Sequence, residues 1–374
     1  MEAGGCSGAS PFLPVLCPRG SLPAATGRDN FSGRWVLTEG ASAPAGVRLH
    51  APITRTPPFP GRQEYRRSYR ELLFTVPGLQ EHISGVIVHP EVLAWQSAGG
   101  EPLGAILTGR GIAVGVKLDL GLTDLEGGEP GEQRTKGLEG LEARAREGHQ
   151  AGASFAKWRA VLRIAAGEAG GAGTLPSDAA VQRSAADLAE YALACQRAEL
   201  VPIVEPEILL EGEHSIERTA EVTERVLSQL FSELKARGVD LSATLLKPSM
   251  VMPGTALQAE TSPEEVARWT VGTFKKCVPA EVAGVVFLSG GQSEACATKN
   301  LDAIVREAAG SGAPWPLTFS YGRALQASVL RAWMGKEERA GEAQRVALAL
   351  AAANGAASEG KFQGPHPSGL PSSD

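Results

Sequence analysis

The sequence predicts an α/β fold in which parallel strands alternate with helices and close into a barrel, with one of eight strands unrecognisable. Three observations predict it. Seven short apolar, β-branched runs follow one another from about residue 63. Helical patterns lie between several of them. Nearly every run ends in a charged or glycine-rich cluster. Alternating strands and helices imply β/α units on a parallel sheet. An open, doubly wound sheet is the alternative. Barrels gather their chemistry at the C-terminal ends of the strands, and five or more charged ends on one rim favour the barrel.

Residues 1–62 stand apart. They hold nine of the 25 prolines, and six arginines against three acids (Glu2, Asp29, Glu39) with no lysine, in a chain of net charge -6. Such a segment holds no long helix and is expected to be disordered, as an arm or as an organelle-targeting leader. The barrel domain is expected over 63–353 and a flexible tail over 354–374.

The expected strands are residues 83–88, 112–116, 161–164, 201–204, 243–246, 282–288 and 317–319. Residues 178–197 read as an Ala-rich amphipathic helix. Residues 221–237 place Val222, Val226, Leu230 and Leu234 at a spacing of four before Gly238, a helix with its stop signal. Ser262-Pro263-Glu264-Glu265 reads as an N-cap, a first-turn proline and a capping-box glutamate.

Composition narrows the function. A pI of about 5.7 argues against a general affinity for nucleic acid. No apolar run approaches the roughly 20 residues that span a bilayer. Five cysteines without paired spacing make neither a disulfide framework nor a zinc site, and six scattered histidines disfavour metal chemistry.

The strand ends carry the candidate chemistry. Lys247 follows an apolar run and precedes Pro248, so it points into a partly desolvated pocket where an amine becomes a nucleophile. Pairing with Glu205 alone is the bland alternative. Glu205 and Glu207 share one face of an extended strand and suit proton shuttling. Lys157 and Arg159 share a face likewise, to support a leaving oxygen and clamp a phosphate. Lys117 and Asp119 end another run. Ser289-Gly290-Gly291 and Ser320-Tyr321-Gly322-Arg323 follow the last two runs, where barrels often bind phosphate through backbone N–H groups.

Five motifs extend these observations: Phe155-Ala156-Lys157-Trp158-Arg159, Val204-Glu205-Pro206-Glu207-Ile208-Leu209, Leu245-Leu246-Lys247-Pro248-Ser249-Met250, Phe287-Leu288-Ser289-Gly290-Gly291-Gln292-Ser293 and Phe319-Ser320-Tyr321-Gly322-Arg323-Ala324-Leu325-Gln326. Together they resemble class I fructose-1,6-bisphosphate aldolase, in family order, from about residue 65 to residue 361. The resemblance implies a (β/α)8 TIM barrel and a Schiff-base mechanism with no metal or cofactor. It implies that Lys247 forms the imine, that Glu205 is the acid/base with Glu207 beside the lysines, and that Lys157 and Arg159 contact the substrate and its 6-phosphate end. Ser289, Gly290, Gly322 and Arg323 match the 1-phosphate site, and Lys117 a lysine on the third strand's rim.

Two features depart from the family. Its first strand ends in an Ala-Ala-Asp-Glu-Ser motif whose aspartate serves carbon–carbon cleavage, and that motif is absent. The first strand is therefore divergent or missing, which leaves an open barrel edge unless residues 34–39 supply it, with Glu39 as substitute acid. The usual C-terminal tyrosine is also absent.

The resemblance implies reversible cleavage of fructose 1,6-bisphosphate to dihydroxyacetone phosphate and glyceraldehyde 3-phosphate, in glycolysis, gluconeogenesis or the Calvin cycle. The rival reading is an impaired homologue that acts as a binding or scaffold protein. Partners implied are sugar phosphates and further copies in a homotetramer, with neither nucleic acid nor membrane. Ile83-Ser84-Gly85, Glu211-Gly212-Glu213-His214 and Lys247-Pro248-Ser249-Met250 look plastid-like, so the chloroplast or plastid stroma is the expected compartment; cytoplasm is the alternative.

Overall fold

A β-strand sends alternate side chains to opposite faces, so a parallel strand covered by helices is apolar on both. That pattern governs the sheet here. The computed structural model describes residues 35–38, 62–165 and 175–369. Its barrel strands in chain order are β1 (Trp35–Thr38) and β2 (Ile83–Val88), then β3 (Ala113–Lys117). A small antiparallel hairpin, β4 (Leu122–Asp124) and β5 (Gln133–Thr135), follows β3. The barrel continues with β6 (Phe155–Leu162), β7 (Val201–Ile208), β8 (Leu245–Leu246), β9 (Gly284–Phe287) and β10 (Leu317–Tyr321). Every barrel pairing is parallel, and the sheet closes through β1.

That closure corrects the expected open edge. Val36 and Leu37 pair with Ser320 and Tyr321 of β10, and on the other side with Gly85 and Val86 of β2. The first strand is present, within the 34–39 segment named as its alternative source; four residues in a Pro- and Arg-rich context carry too little pattern to be expected outright. The strand expected over 161–164 begins earlier, at Phe155. The one expected over 243–246 shrinks to Leu245–Leu246, because Leu241–Ala243 form a 3-10 turn opened by Asp240.

The helices are α1 (Arg62–Phe74), α2 (Leu103–Thr108), α3 (Leu141–Gln150), α4 (Asp178–Arg197), α5 (Ile216–Ala236), α6 (Pro263–Cys277), α7 (Glu294–Ser311), α8 (Ala327–Trp333) and α9 (Ala340–Ala357). α4 has the predicted bounds. α5 starts earlier than its periodicity suggested, because the Ser215 side chain caps it at the N–H of Arg218. The Ser262 cap of α6 forms as expected, accepting from Glu265 N–H. Residues 354–369, expected as a tail, pack back instead: Phe362 N–H donates to Asp302 at 2.9 Å and His366 contacts the Thr298 hydroxyl at 3.1 Å.

The barrel interior is built in layers. Ile87, Phe155, Val201, Ile203, Leu245 and Val286 form an apolar floor. Phe155 fills its width. A Cβ on Gly115 of β3 would lie 2.1 Å from the Phe155 ring, so only glycine fits opposite it. Above this floor the same alternation places Lys157 two residues beyond Phe155, Glu205 two beyond Ile203 and Lys247 two beyond Leu245. The strands therefore lift charge onto the dry floor.

Candidate active site

Register and the alternation along neighbouring strands bring the charged side chains within reach of one another. Lys117 pairs with Lys157 across β3 and β6, and Lys157 pairs with Ile203 across β6 and β7. Lys247 directly follows β8, its N–H held by the Val204 carbonyl at 2.8 Å. Pro248 ends the ladder. The Ser249 hydroxyl then clasps Ile208, accepting from its N–H at 3.1 Å and donating to its carbonyl at 2.9 Å. These bonds fix where the Lys247 backbone leaves the strand.

One carboxylate joins two lysines. Lys247 Nζ lies 3.0 Å from Glu205 Oε1, and Lys157 Nζ lies 2.9 Å from Glu205 Oε2. All three residues are at most 4 % exposed. Lys157 also faces Asp119 Oδ2 at 3.6 Å, and Asp119 pairs with Lys117. Arg159 pairs with Glu207. Glu207, expected beside the lysines, thus has an arginine as its ion-pair partner, because it stands one step further up the strand than Glu205.

The environment treats the two lysines oppositely. Burial pushes Lys247 below the ordinary lysine range; Glu205 resists that shift and Lys157 reinforces it. Burial weighs on Lys157 as well, but Glu205 and Asp119 outweigh it and raise its pKa. Burial works against the Glu205 charge too, yet Lys157 and Lys247 prevail and hold the carboxyl down to about 2. The arrangement keeps Lys157 a cation and Glu205 an anion while favouring a free amine at Lys247. With that amine neutral, Lys117, Lys157 and Arg159 face Asp119, Glu205 and Glu207, three charges against three.

The two glycine loops lie beside this cluster. Leu288 N–H donates to the Pro248 carbonyl at 3.1 Å, which seats Ser289 next to the Lys247 segment. Gly290 and Gly291 have φ of +56° and +88°, a left-handed pair that glycine adopts without strain. A Cβ on Gly291 would lie 3.7 Å from Arg323 Nη2, so the guanidinium reaches this loop from the other one. Gly322 has φ of -105° and does not share that conformation.

Some participants received no role from the sequence. Asp119 bridges Lys117 and Lys157; its i,i+2 spacing from Lys117 was the available signal. Gln292 and Asn300 back the 289–291 loop. Asn300 donates to Gln292 Oε1 at 2.8 Å, and Gln292 donates to the Met250 sulfur at 3.5 Å. Glu39, the expected substitute acid, lies outside the described residues. Among the described residues, no group of three or more His, Cys, Asp or Glu is placed to hold a metal ion, and no helix is long and apolar enough to cross a membrane.

The chain matches the family model for fructose-bisphosphate aldolase class-I over residues 60–373. It is 48% identical over 299 residues to cytosolic fructose-bisphosphate aldolase 4 of Arabidopsis thaliana, covering 80% of this chain and 74% of that one. It is 47% identical over 361 residues to fructose-bisphosphate aldolase of Echinococcus multilocularis, covering 95% of each. Among solved structures it is similar to the Plasmodium falciparum aldolase in complex with TRAP and a small-molecule inhibitor. That likeness has a TM-score of 0.80 and 42% identity, covering 89% of this chain and 92% of that one. With the barrel, the buried lysine pair and these relatives in agreement, the chain belongs to the class I fructose-bisphosphate aldolase family.

Proposed function

We propose that this lyase cleaves fructose 1,6-bisphosphate through an imine on Lys247. The observation that carries the reading is the buried Lys247 amine, lowered in pKa and hydrogen-bonded to Glu205. The amine attacks the ketone carbon, and the carbonyl oxygen takes a proton to give a carbinolamine. Loss of that hydroxyl as water, with a proton supplied through Glu205, leaves a protonated imine. A base then takes the proton of the C4 hydroxyl. The C3–C4 bond breaks, its electron pair moves into the imine to form an enamine, and glyceraldehyde 3-phosphate leaves. Protonation of the enamine and hydrolysis return the amine and release dihydroxyacetone phosphate.

Lys157 remains a cation throughout and supports the oxygens that gain charge. Glu207 orients Arg159, which takes the 6-phosphate end with Lys117. Ser289, Gly290, Gly322 and Arg323 hold the 1-phosphate. The scaffold reading finds no specific support: a binding protein has no use for an amine kept free beside a cation and an anion.

The cytosolic isozyme of Arabidopsis thaliana and the cytoplasmic one of Spinacia oleracea support a cytoplasmic, glycolytic role. The plastid and Calvin-cycle expectation rested on short motifs and gains no support from these relatives. The homotetramer rests on the motif resemblance alone.

The test is borohydride reduction in the presence of dihydroxyacetone phosphate, followed by peptide mapping. Label on the peptide that contains Lys247, together with cleavage that resists chelators, is expected. Label elsewhere, or none with chelator-sensitive cleavage, overturns the reading.

A further inference from the structure

Glu294 is the first residue of α7 and only 3 % exposed. Its carboxylate leaves its own helix and reaches the start of α8. There it accepts the Ser328 N–H at 3.0 Å and the Ser328 hydroxyl. Arg331 Nη2 completes the cluster, 3.5 Å from Glu294 Oε2 and donating to Ser328 Oγ at 2.6 Å. Burying a carboxylate is costly unless donors surround it. Here the donors come from the helix that follows the other glycine loop.

Chain positions give the cluster its meaning. Glu294 stands five residues after Ser289, and Ser328 stands five after Arg323. At the near end, β9 and β10 are locked by the ladder pair Phe287 and Phe319. The Tyr321 hydroxyl adds a bond to the Ala297 carbonyl at 2.9 Å. The segment that carries Arg323 is thus anchored on both sides, by β10 before it and by Glu294 after it. Between the anchors the guanidinium approaches Gly291.

We propose that Glu294 is a positioning residue for the known reaction: through Ser328 it fixes the two glycine loops against each other, so that Arg323 and residues 289–291 close on one phosphate. This rests on the reading of those loops as the 1-phosphate site. Glu294 touches no substrate atom. Its effect is exerted on where Arg323 stands, and misplacement of such a group by about 1 Å is enough to cost substantial binding or rate.

The experiment measures dihydroxyacetone phosphate binding by calorimetry, alongside borohydride trapping with unphosphorylated dihydroxyacetone, which has no phosphate to position. The variants are Ser328→Ala, Ser328→Thr, Glu294→Gln and Arg323→Ala, each checked by thermal melting. Ser328→Ala keeps the backbone bond and removes one hydroxyl, so it is the variant that tests the idea even if Glu294→Gln fails to fold. Loss of that hydroxyl is expected to weaken phosphate-ligand binding about three- to tenfold, with trapping of dihydroxyacetone within about twofold and with Ser328→Thr restoring affinity. In the Arg323→Ala background Ser328→Ala is expected to add little, because both act on one contact. Equal losses with both ligands make the cluster merely structural and overturn the proposal. Unchanged binding in Ser328→Ala and Glu294→Gln, while Arg323→Ala binds weakly, overturns it alone. Unchanged binding in Arg323→Ala sinks the phosphate reading, and this proposal with it.

Discussion

Lys247 Nζ stands 3.0 Å from Glu205 Oε1, and the second oxygen of that carboxylate is engaged by Lys157 at 2.9 Å. One anion is therefore shared by two ammonium positions that have been pushed apart in pKa, Lys157 up and Lys247 down. Asp119 breaks the symmetry, since it faces Lys157. Separation of neighbouring titrating groups assigns their roles: the lysine with two carboxylates stays charged, and the other supplies the amine.

Lys157→Met removes the cation that helps to keep Lys247 unprotonated. Imine formation requires the free amine, so its rate rises with pH as Lys247 deprotonates. Without Lys157 that rise is expected to move to higher pH in a trapping-rate profile. Turnover is expected to fall by about 10²–10⁴, because support for the charged oxygens is lost as well. A trapping profile superimposable on the parent's contradicts the assignment.

Glu205 gives a stability prediction with a definite sign. Its folded carboxyl sits at about 2, below the ordinary 4.5, so between those values the unfolded chain binds the extra proton. Its contribution is therefore complete above about 4.5 and is lost as pH falls toward 2. Glu205→Gln takes from buried Lys157 the nearer of its two carboxylates, leaving Asp119 at 3.6 Å, and is expected to cost about 3–5 kcal/mol at pH 7. Denaturant unfolding of both proteins across pH is expected to show that gap narrowing through the acid window. A gap independent of pH contradicts it.

How much of this was legible follows from which relationships are local. Lys247 before Pro248, and Glu205 with Glu207, are strand-end patterns visible within a few residues. The Ser262 cap was readable for the same reason. Asp119 was seen at the end of its run, but its partner Lys157 is 38 residues away and is brought near by the β3–β6 register, which no local pattern encodes. Glu294 and Ser328 lie just past the ends of recognised motifs, yet their bond crosses between two helices. β1 was legible only as an alternative over residues 34–39, for another reason. Four residues are too few for periodicity, and their pairing on both sides comes from the curvature of the whole sheet. The packed stretch 354–369 was missed because its anchors, Asp302 and Thr298, belong to α7.

Asp119→Asn tests the participant that the motifs did not single out. It deprives Lys157 of one of its two carboxylates and Lys117 of its partner. Bonds to charged groups contribute about 1.5–3 kcal/mol, so cleavage is expected to fall about ten- to hundredfold. The loss is expected to be less than additive with Lys117→Met, since the two residues form one pair. Full activity in Asp119→Asn shows that Glu205 alone is sufficient to hold Lys157.

The last prediction concerns the first strand. β1 ends at Thr38 and is paired on both sides. Barrel enzymes draw their rim residues from positions just past strand ends, and the residue after Thr38 is Glu39, the only acid between residues 30 and 62. The cleavage step needs a base for the C4 hydroxyl, and the family's aspartate for that purpose is missing from this segment. Glu39 is the candidate that the sequence places next to this strand to replace it. Imine formation does not need that base, since Lys247, Glu205 and Lys157 are complete without it. Glu39→Gln is therefore expected to leave borohydride trapping at Lys247 unchanged and to lower fructose-bisphosphate cleavage by about 10²–10⁴. Both are measured on one preparation, so that a folding defect, which lowers both together, is told apart. Cleavage within twofold of the parent removes Glu39 from the reaction. If the parent itself traps fully but cleaves at the level of the variant, no residue has taken over the aspartate's work, and Glu39→Asp is then the substitution to test for restoring it.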